Sequence, residues 1–368
     1  MKKDLLDLRM EEMEQFAVEL GEKPFRGRQL FQWVQRGAGS FDEMTNLSKG
    51  FREKLAESAC IGNLELLDVQ EDRMDGTRKY LFGVGELVPA GTAADGTVMS
   101  GTAGGINAGT PGLAVESVFM KYSYGNTLCV SSQIGCKMGC SFCASALGGF
   151  VRDLTAGEMM GQVLAAERQA GEPVSHIVLM GMGEPFDNYE NVSRFLRMLH
   201  DPAGRNMSWR HMTVSTSGLI PVMKRFAEDF PQVNLAISLH RIDDAGRSTI
   251  MPVNRRYPVA DLLDAAREYT EKTGRRITFE YALIRNENDR PEDVKQLCRA
   301  LRGMLCHVNL IPLNEVKETG LSGSSRRRAG EIAAELEKAG IPATVRRELG
   351  SEIDGACGQL RLRRATMR

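Results

Sequence analysis

Three cysteines are spaced closely enough to bind one metal cluster. Cys136, Cys140 and Cys143 form the pattern C-x3-C-x2-C. Such thiolates can hold three of the four irons of a cubane [4Fe-4S] cluster. The fourth iron stays open, and the amino acid part of S-adenosylmethionine (SAM) can chelate it before reductive cleavage. Zinc is the alternative, but zinc sites usually pair C-x2-C with a second pair or with nearby histidines, and neither follows here.

The composition is that of a soluble globular protein with more than one domain. The chain has 368 residues, 42% of them hydrophobic and 26% charged. No apolar run approaches the roughly 20 residues of a membrane helix. The N-terminus turns acidic at Asp4 without an apolar segment, so we expect no signal peptide and a cytoplasmic location. In a reducing cytoplasm, cysteines indicate metal binding or catalysis before disulfides.

The net charge of −1 argues against bulk electrostatic affinity for nucleic acid, but not against local basic patches. The candidate arginines fall in four groups along the chain: Arg26, Arg28 and Arg36; Arg326, Arg327 and Arg328; Arg346 and Arg347; and Arg361, Arg363, Arg364 and Arg368. Any one group is as well explained by a solvated surface.

The first third of the chain predicts a small accessory region. Residues 1–62 form a helical domain, with helices expected over 3–20, 25–36 and 49–58, where apolar positions recur at helical spacing. Residues 63–125 form a β extension with strands near 64–69, 78–84 and 115–118. Within it, residues 88–114 are rich in Gly, Ala and Thr, and we interpret them as a flexible insertion.

Residues 126–345 predict an α/β domain, and residues 346–368 a C-terminal segment. Strand-like runs occur at 127–133, 176–180, 211–216, 233–239, 276–284 and 307–313. Helical stretches occur at 155–170, 191–199, 221–228, 260–272, 291–301 and 326–339, the first opening with a capping box at Thr155 and Glu158. This alternation indicates parallel strands with right-handed crossovers. No strand precedes a Gly-rich dinucleotide fingerprint, so a partial (βα)6 barrel is favoured over a doubly wound sheet.

Polar residues follow five of the six predicted strands where each strand ends. They are the cysteine loop, Gly181–Pro185, Ser215–Gly218, Ser238–His240 and Asn314. In parallel barrels the carboxyl ends of the strands form the active-site face. Any one segment could be a turn or a helix cap, but together they predict a single site.

Taken together, these residues resemble those of the RNA adenine methyltransferases of the RlmN/Cfr family, in particular the enzymes that act on C2. The resemblance rests on the cysteine triplet, Cys129 before it, Gly183-Glu184-Pro185, and the late run Asp354-Gly-Ala-Cys357-Gly-Gln-Leu. It covers essentially the whole chain, and the 88–114 insertion departs from the family pattern. It implies a radical-SAM barrel with a [4Fe-4S] cluster and two SAM molecules per turnover.

The resemblance also implies substrates and partners. The substrates would be an adenosine in the peptidyl-transferase centre of 23S ribosomal RNA and the adenosine 3′ to the anticodon in tRNA. An electron donor such as flavodoxin or ferredoxin would be needed, and a monomer with no membrane association is expected.

Three residues would carry the methyl transfer. Cys357 would become an S-methylcysteine intermediate, and Glu116 would accept the C2 proton. Cys129 would then release the product by forming a transient disulfide with Cys357. From the residues alone, Glu116 is also an ordinary strand position and Cys129 an ordinary buried cysteine.

The resemblance assigns SAM binding to residues at the strand ends. They are Gly183, Glu184, Ser215, Ser238, Leu239, His240 and Asn314. Glu184 could pair with the SAM ammonium group, and His240 could instead be a core histidine. In the N-terminal domain, Trp33 is interpreted as a core residue, and the arginines are the better RNA candidates. Cys60, Cys298 and Cys306 match no motif and are interpreted as structural.

Three alternatives remain open. A Cfr-type enzyme would share the cysteines but methylate C8 of adenine. A zinc-binding RNA module would use the cysteine triplet without catalysis. A radical-SAM activase acting on protein would use the cluster but would not explain Cys357.

Overall fold

The structure is a computed structural model that describes residues 2–62, 64–85, 113–313, 320–347, 349–350 and 353. The proposed insertion at 88–114 lies outside the described residues except for its last two, and Ala114 already begins a strand.

The described strands, in chain order, are β1 (Lys3–Asp4), β2 (Ala59–Cys60), β3 (Leu64–Glu71), β4 (Arg78–Val84), β5 (Ala114–Tyr122), β6 (Gly125–Cys129), β7 (Gln133–Gly135), β8 (Phe150–Asp153), β9 (His176–Leu179), β10 (Met212–Thr216), β11 (Asn234–Ser238), β12 (Ile277–Leu283), β13 (Cys306–Pro312) and β14 (Ala343–Val345).

The described α-helices are α1 (Met10–Glu19), α2 (Pro24–Gln35), α3 (Lys49–Ser58), α4 (Ala144–Leu147), α5 (Ala156–Ala170), α6 (Tyr189–His200), α7 (Ile220–Asp229), α8 (Asp244–Ile250), α9 (Val259–Thr273), α10 (Pro291–Leu301) and α11 (Arg326–Lys338).

Ten strands form one sheet in the order β14-β13-β12-β11-β10-β9-β6-β5-β4-β3. Seven of them, β6 and β9 to β14, are mutually parallel. The six predicted barrel strands are therefore confirmed, and the short β14 adds one that the sequence did not indicate. The described elements form the expected partial barrel.

The β extension continues the barrel sheet instead of standing beside it. Strands β3, β4, β5 and β6 pair antiparallel in sequence order, so β6 belongs to both parts. The expected strand over 127–133 is wrong in its second half. It ends at Cys129, and Gln133–Gly135 pairs separately with β8.

The N-terminal domain differs from expectation only at its start. Residues 3–20 do not form one helix, because Lys3–Asp4 pairs with Ala59–Cys60 and a 3-10 turn follows over Leu5–Asp7. The domain packs on the barrel through α5 and α6. Asp7 Oδ1 accepts the Gly157 amide hydrogen at 2.6 Å, and the Arg194 guanidinium contacts Glu12 and the Asp7 carbonyl.

The start of helix α5, which follows β8, is determined by residues next to it in the sequence. Thr155 Oγ1 accepts the Glu158 amide hydrogen at 3.1 Å, and a Glu158 oxygen accepts the Thr155 amide hydrogen at 2.9 Å. The predicted capping box is therefore confirmed, and it fixes the start of α5. Helices α4 and α8 were not predicted, since each is too short to give a periodic apolar pattern.

Candidate active site

The cysteine loop connects β7 to α4 and is held at both ends. The Cys136 amide donates to the Gly149 carbonyl at 3.2 Å, and the Ser141 amide donates to the Ile250 carbonyl at 3.0 Å. Gly135 has a φ of +74°, and a Cβ there would stand 1.7 Å from the Gly149 oxygen. Only glycine therefore allows the close crossing that shapes this loop.

The environment of the three thiols fits a bound cationic cluster. Burial, with a contribution from nearby Cys143 and Glu184, raises the pKa of Cys136 to about 12. Burial and the neighbouring cysteines also raise the pKa of Cys140. The three side chains are half-buried, and thiolates this close together repel one another unless a positive charge, such as that of iron, offsets them.

No group of three or more His, Cys, Asp or Glu side chains in the described ranges is placed to hold a single metal ion. The cysteines of a cubane bind different irons, so they need not converge on one point. The cysteine loop offers three thiols, the number that a [4Fe-4S] cluster with one open iron takes.

The Gly183-Glu184 turn after β9 lies against the start of β7. Gly183 has a φ of +103°, and a Cβ there would stand 2.8 Å from the Gln133 backbone nitrogen. The Glu184 amide donates to Gln133 Oε1 at 2.8 Å. The Gln133 side chain in turn donates to Asp153 and Asp187 at 2.8 and 2.9 Å. These contacts fix the turn beside the cysteine loop.

Glu184 joins the ends of two neighbouring strands. Its side chain is buried, and its two oxygens accept the amide hydrogens of Phe186 at 3.1 Å and of Ser217 at 2.7 Å. Burial raises the pKa of the Glu184 carboxyl despite these hydrogen bonds. The side chains of Thr216 and Ser217 also hydrogen-bond to this carboxyl.

Arg247, on α8, is a site residue that sequence reasoning missed. It is fully buried and donates to the carbonyl oxygens of Ser217, Ser238 and Leu239 at 2.9 to 3.0 Å. It thereby ties the ends of β10 and β11 together. Burial lowers its pKa to about 10. Only the N-cap residue Asp243 marks α8 in the sequence, and nothing there indicates that its arginine turns inward.

His240 is both a core histidine and a neighbour of the cysteine loop. Its Nδ1 accepts the Ala282 amide hydrogen at 2.9 Å, so the neutral ring carries its proton on Nε2. Its ring meets Phe142, between Cys140 and Cys143, edge to face at 4.8 Å between centroids. Burial and the nearby Arg247 charge lower the pKa of His240 to about 3.

Strand register places the remaining candidates on one face of the sheet. Cys129 pairs with Val118 on one side and with Val178 on the other. The same row continues through Thr213 to Asn234. Side chains alternate along a strand, so residues two or four positions from this row share its face. We call this the inner face. It carries Glu116, Cys129, Ser215 and Ser238.

The opposite face packs on α5. Ser117 Oγ donates to Gln162 Oε1 on that helix at 2.8 Å, and Ser117 is the neighbour of Glu116. Gln162 also accepts the Ser131 amide hydrogen at 2.9 Å. Ser131 Oγ donates to the Glu116 carbonyl at 2.6 Å and accepts from the Met182 amide at 2.9 Å. This buried network fixes the backbone of Glu116 relative to the Gly183-Glu184 turn.

Glu116 is buried on the inner face beside a fully buried lysine. Glu116 Oε2 lies 3.4 Å from Lys79 Nζ. Lys79 pairs with Val118, as Cys129 does from the other side. Glu116 is therefore the diagonal neighbour of both Lys79 and Cys129, a relation that places residues about 7–8 Å apart, with their Cβ atoms somewhat closer.

Glu280 is a second inner-face residue that the sequence analysis did not single out. It pairs with Ser238 on β11 and with Asn309 on β13. The side-chain amide of Asn309 donates to Glu280 Oε2 at 2.9 Å. Burial raises its pKa. A lone glutamate within the apolar strand Ile277–Leu283 was the available signal.

Two candidates, Asn314 and Cys357, lie outside the described residues, as does the arginine group from Arg361 onward. The chain that precedes Cys357 is described up to Gly350 and at Ile353. The Gly350 amide donates to Asp75 Oδ2 at 2.9 Å, in the turn between β3 and β4. The end of the described chain therefore reaches the β extension.

The N-terminal candidates have local partners. Trp33 packs against the domain core, in line with the expectation, and its Nε1 donates to Asn46 Oδ1 at 2.6 Å. Arg26 donates to the Asn46 carbonyl at 2.8 Å, and Arg28 pairs with Glu14 at 3.1 Å. Within the ranges that the structure describes, no helix is both long and apolar enough to cross a bilayer.

Two family models match the chain. The ribosomal RNA large subunit methyltransferase N-terminal domain (RlmN_N) matches residues 3–61, and the radical SAM superfamily matches residues 130–299.

Curated relatives and a solved structure extend the likeness to nearly the full length. A probable dual-specificity RNA methyltransferase RlmN of Clostridium perfringens (strain SM101 / Type A) is 47% identical over 98% of this chain and 96% of its own length. The protein of the same description from Alkaliphilus oremlandii is 48% identical over 98% of each chain. The crystal structure of a radical SAM methyltransferase from Sphaerobacter thermophilus is 42% identical, with a TM-score of 0.86 over 97% of this chain and 98% of that one.

Proposed function

Because the chain belongs to the RlmN family of radical SAM RNA methyltransferases, we propose that it methylates carbon C2 of adenine in RNA. The substrates are the adenosine of the peptidyl-transferase centre in 23S ribosomal RNA and the adenosine 3′ to the tRNA anticodon. C2 lies between two ring nitrogens and is electron-poor. The SAM methyl group is itself an electrophile, so direct polar transfer is unfavourable and radical chemistry is needed.

The observation that carries this proposal is the inner-face row. Pairing register puts Glu116 diagonal to Cys129 and puts Ser215 and Ser238 further along the same face. A base, a thiol and SAM-binding hydroxyl groups thus share one surface near the carboxyl ends of the parallel strands. That is the surface at which barrel enzymes act.

Cys136, Cys140 and Cys143 would hold the [4Fe-4S] cluster, and two SAM molecules are consumed per turnover. When bound, the cluster supplies the electron that cleaves one SAM to methionine and a 5′-deoxyadenosyl radical. A flavodoxin- or ferredoxin-like donor restores that electron, and the protein works as a monomer.

Gly183 to Glu184, Ser215, Ser238 to His240 and Asn314 bind SAM. The left-handed Gly183 backbone packs directly against Gln133, and this contact shapes the turn that presents Glu184. The serine hydroxyl groups donate to carboxylate or ribose oxygens. The Glu184 carboxylate, held by Ser217 and Phe186, accepts from the SAM ammonium group.

Cys357 carries the carbon that is transferred. Its thiolate first attacks the methyl carbon of one SAM. The methyl group is transferred to the Cys357 sulfur, and S-adenosylhomocysteine leaves. Hydrogen abstraction then activates the S-methyl carbon, which bonds to C2. The covalent connection supports this role. Cys357 is four positions after Ile353, a length of chain that can span about 14 Å at most, and the chain at Gly350 is bound to the β extension.

Glu116 and Cys129 complete the reaction. Bonding of the activated S-methyl carbon to C2 leaves one unpaired electron on the adduct, which the oxidised cluster or its redox partner would take up. Glu116 accepts the proton that leaves C2. The Cys129 thiolate then bonds to the Cys357 sulfur, the bond between that sulfur and the transferred carbon breaks with its electron pair on carbon, and a proton from solvent completes the methyl group of the freed base. An external dithiol reduces the resulting disulfide. The target base must leave its stack to reach this face, and RNA is usually read at loops, where that is least costly.

Anaerobic reconstitution followed by nucleoside analysis tests the activity. The protein should convert ribosomal RNA fragments and tRNA to 2-methyladenosine, identified by mass and NMR. Formation of 8-methyladenosine alone would establish the C8 alternative. A colourless protein with one bound zinc and no methylation would establish the zinc-binding alternative.

Three cysteine variants test the mechanism. Cys357→Ala should still cleave SAM slowly but methylate nothing. Cys129→Ala should remain covalently attached to RNA. Cys298→Ala is the matched control, because Cys298 lies on α10 away from the inner face, and it should turn over normally. Normal turnover by Cys129→Ala would contradict the two-cysteine mechanism.

A further inference from the structure

A buried lysine stands beside the proposed base. Lys79 lies on β4 with no exposed surface, and its Nζ is 3.4 Å from Oε2 of Glu116. Lysine is almost never fully buried unless it is paired, since taking its charge out of water costs several kcal/mol. The burial of Lys79 therefore indicates that its charge is kept on the inner face for a specific interaction, and the neighbouring Glu116 carboxylate supplies one.

The position of Lys79 follows from the same register as the rest of the inner face. Lys79, Val118 and Cys129 form one row across β4, β5 and β6. Glu116 is two residues from Val118 on β5. It is therefore diagonal to Lys79 on β4 and, on the other side, diagonal to Cys129 on β6. The neighbouring cation on β4, Arg78, points to the opposite face and pairs with Glu71 at 3.2 Å.

We propose that Lys79 is a positioning residue for the proton-transfer step: its ammonium group holds the buried Glu116 side chain in the orientation in which it acts as the base. This inference rests on the proposed function. In the step itself the bond between C2 and hydrogen breaks, its electron pair stays with the RNA-bound carbon framework, and the proton ends on a Glu116 oxygen. Lys79 keeps its own protons throughout.

Removing the ammonium group takes away the ion pair that orients the Glu116 carboxylate on the inner face. A base that is no longer held in this orientation accepts the proton of C2 less readily. Positioned general bases contribute on the order of 10²-fold or more to rate. Loss of Lys79 should therefore slow release of the RNA adduct about 100-fold, while the earlier steps continue.

The test uses full-length, cluster-loaded protein with an RNA substrate. Lys79→Met, which is similar in length and uncharged, should methylate Cys357 and cleave SAM like the wild type. In a single turnover it should accumulate the covalent protein–RNA adduct. Arg78→Met removes a cation from the same strand on the other face and should release RNA at the wild-type rate.

Chemical rescue separates a charge from a merely structural role. Lys79→Ala should regain adduct resolution when ethylammonium is added, but not when propanol, a neutral molecule of similar size, is added. Wild-type release by Lys79→Met, or rescue of Lys79→Ala by both additives alike, would overturn the assignment. If the wild type forms no 2-methyladenosine, the proposed function fails and this inference with it. If the wild type forms it and Lys79→Met matches it, only the role of Lys79 fails.

Discussion

Asp75 and Gly350 are 275 residues apart in the chain, yet the Gly350 amide donates a hydrogen bond to Asp75 Oδ2 at 2.9 Å. The other oxygen of Asp75 accepts the Thr77 amide hydrogen at 2.8 Å. Burial alone would raise the pKa of Asp75, but the hydrogen bonds from Thr77 and Gly350 lower it. The turn between β3 and β4 therefore fixes the chain that leads to Cys357.

Asp75→Ala should lower RNA methylation about fivefold and leave SAM cleavage without RNA unchanged. A hydrogen bond to a charged group contributes about 1.5–3 kcal/mol when buried, and the partial exposure of Asp75 reduces this to about 1 kcal/mol. Initial rates of methyl transfer to tRNA measure the effect. Arg73→Ala in the same turn is the control and should behave as the wild type. Equal rates for all three proteins would show that this anchor does not position Cys357.

Gly183→Ala should weaken SAM binding at least tenfold. A side chain at a φ of +103° is strained by about 1–3 kcal/mol, and its Cβ would also press on the Gln133 backbone. Gly171→Ala provides a matched control, because Gly171 also has a positive φ, +68°, but has open space around it. Equilibrium binding of SAM to the cluster-loaded proteins is the measurement. Equal SAM affinities for the two variants would contradict the role assigned to the contact between Gly183 and Gln133.

Arg247→Met should destabilise the protein by about 3–5 kcal/mol and disturb the SAM site. The substitution leaves the carbonyl oxygens of Ser217, Ser238 and Leu239 without their buried donor. Urea unfolding gives the free energy of unfolding, and SAM binding in the absence of urea reports the site. Arg267→Met, on the exposed face of α9, should change stability by less than about 0.5 kcal/mol. A loss no greater than that control would contradict the role of Arg247.

His240 should make stability fall as the pH falls below 6.5. The unfolded chain binds a proton at its ordinary pKa of 6.5, whereas the folded ring has a pKa of about 3 and stays neutral. Between these values the unfolded state gains a proton that the folded state lacks, so acid favours unfolding. At pH 5.5 this amounts to about 1.4 kcal/mol for one group.

The measurement is urea unfolding of the cluster-free protein at pH 7.5 and 5.5. His240→Asn keeps an acceptor for the Ala282 amide but cannot titrate, so its loss of stability over this interval should be smaller by about that amount. If the wild type and the variant lose the same stability, His240 is not the group responsible.

The regular parts of the fold were predictable because they repeat. Each of the strands from β9 to β13 is a short apolar run, and the helices between them are amphipathic. The capping box at Thr155 was predictable because its two partners are three residues apart. The start of the chain was not, because the pairing of Lys3 with Ala59 joins residues far apart in sequence.

The site was predictable where chemistry leaves a local signature, as in the cysteine triplet and the Gly183-Glu184 turn. Arg247, Glu280 and Lys79 were missed for one shared reason. Charged residues are normally exposed, and only the assembled sheet reveals that these three are buried and partnered. A charged residue within an otherwise apolar strand is the signal that could have found Glu280 and Lys79, whereas the sequence around Arg247 carries no such signal.

Strand β6 is shared by the barrel and the β extension, and this has a mechanical consequence. Five consecutive positions pair β5 with β6, so Glu116 and Cys129 cannot separate without tearing that ladder. The barrel and the β extension therefore cannot rotate relative to each other as separate rigid bodies at this boundary. Any relative movement that the proposed methyl transfer requires must therefore come from outside the β5–β6 pair.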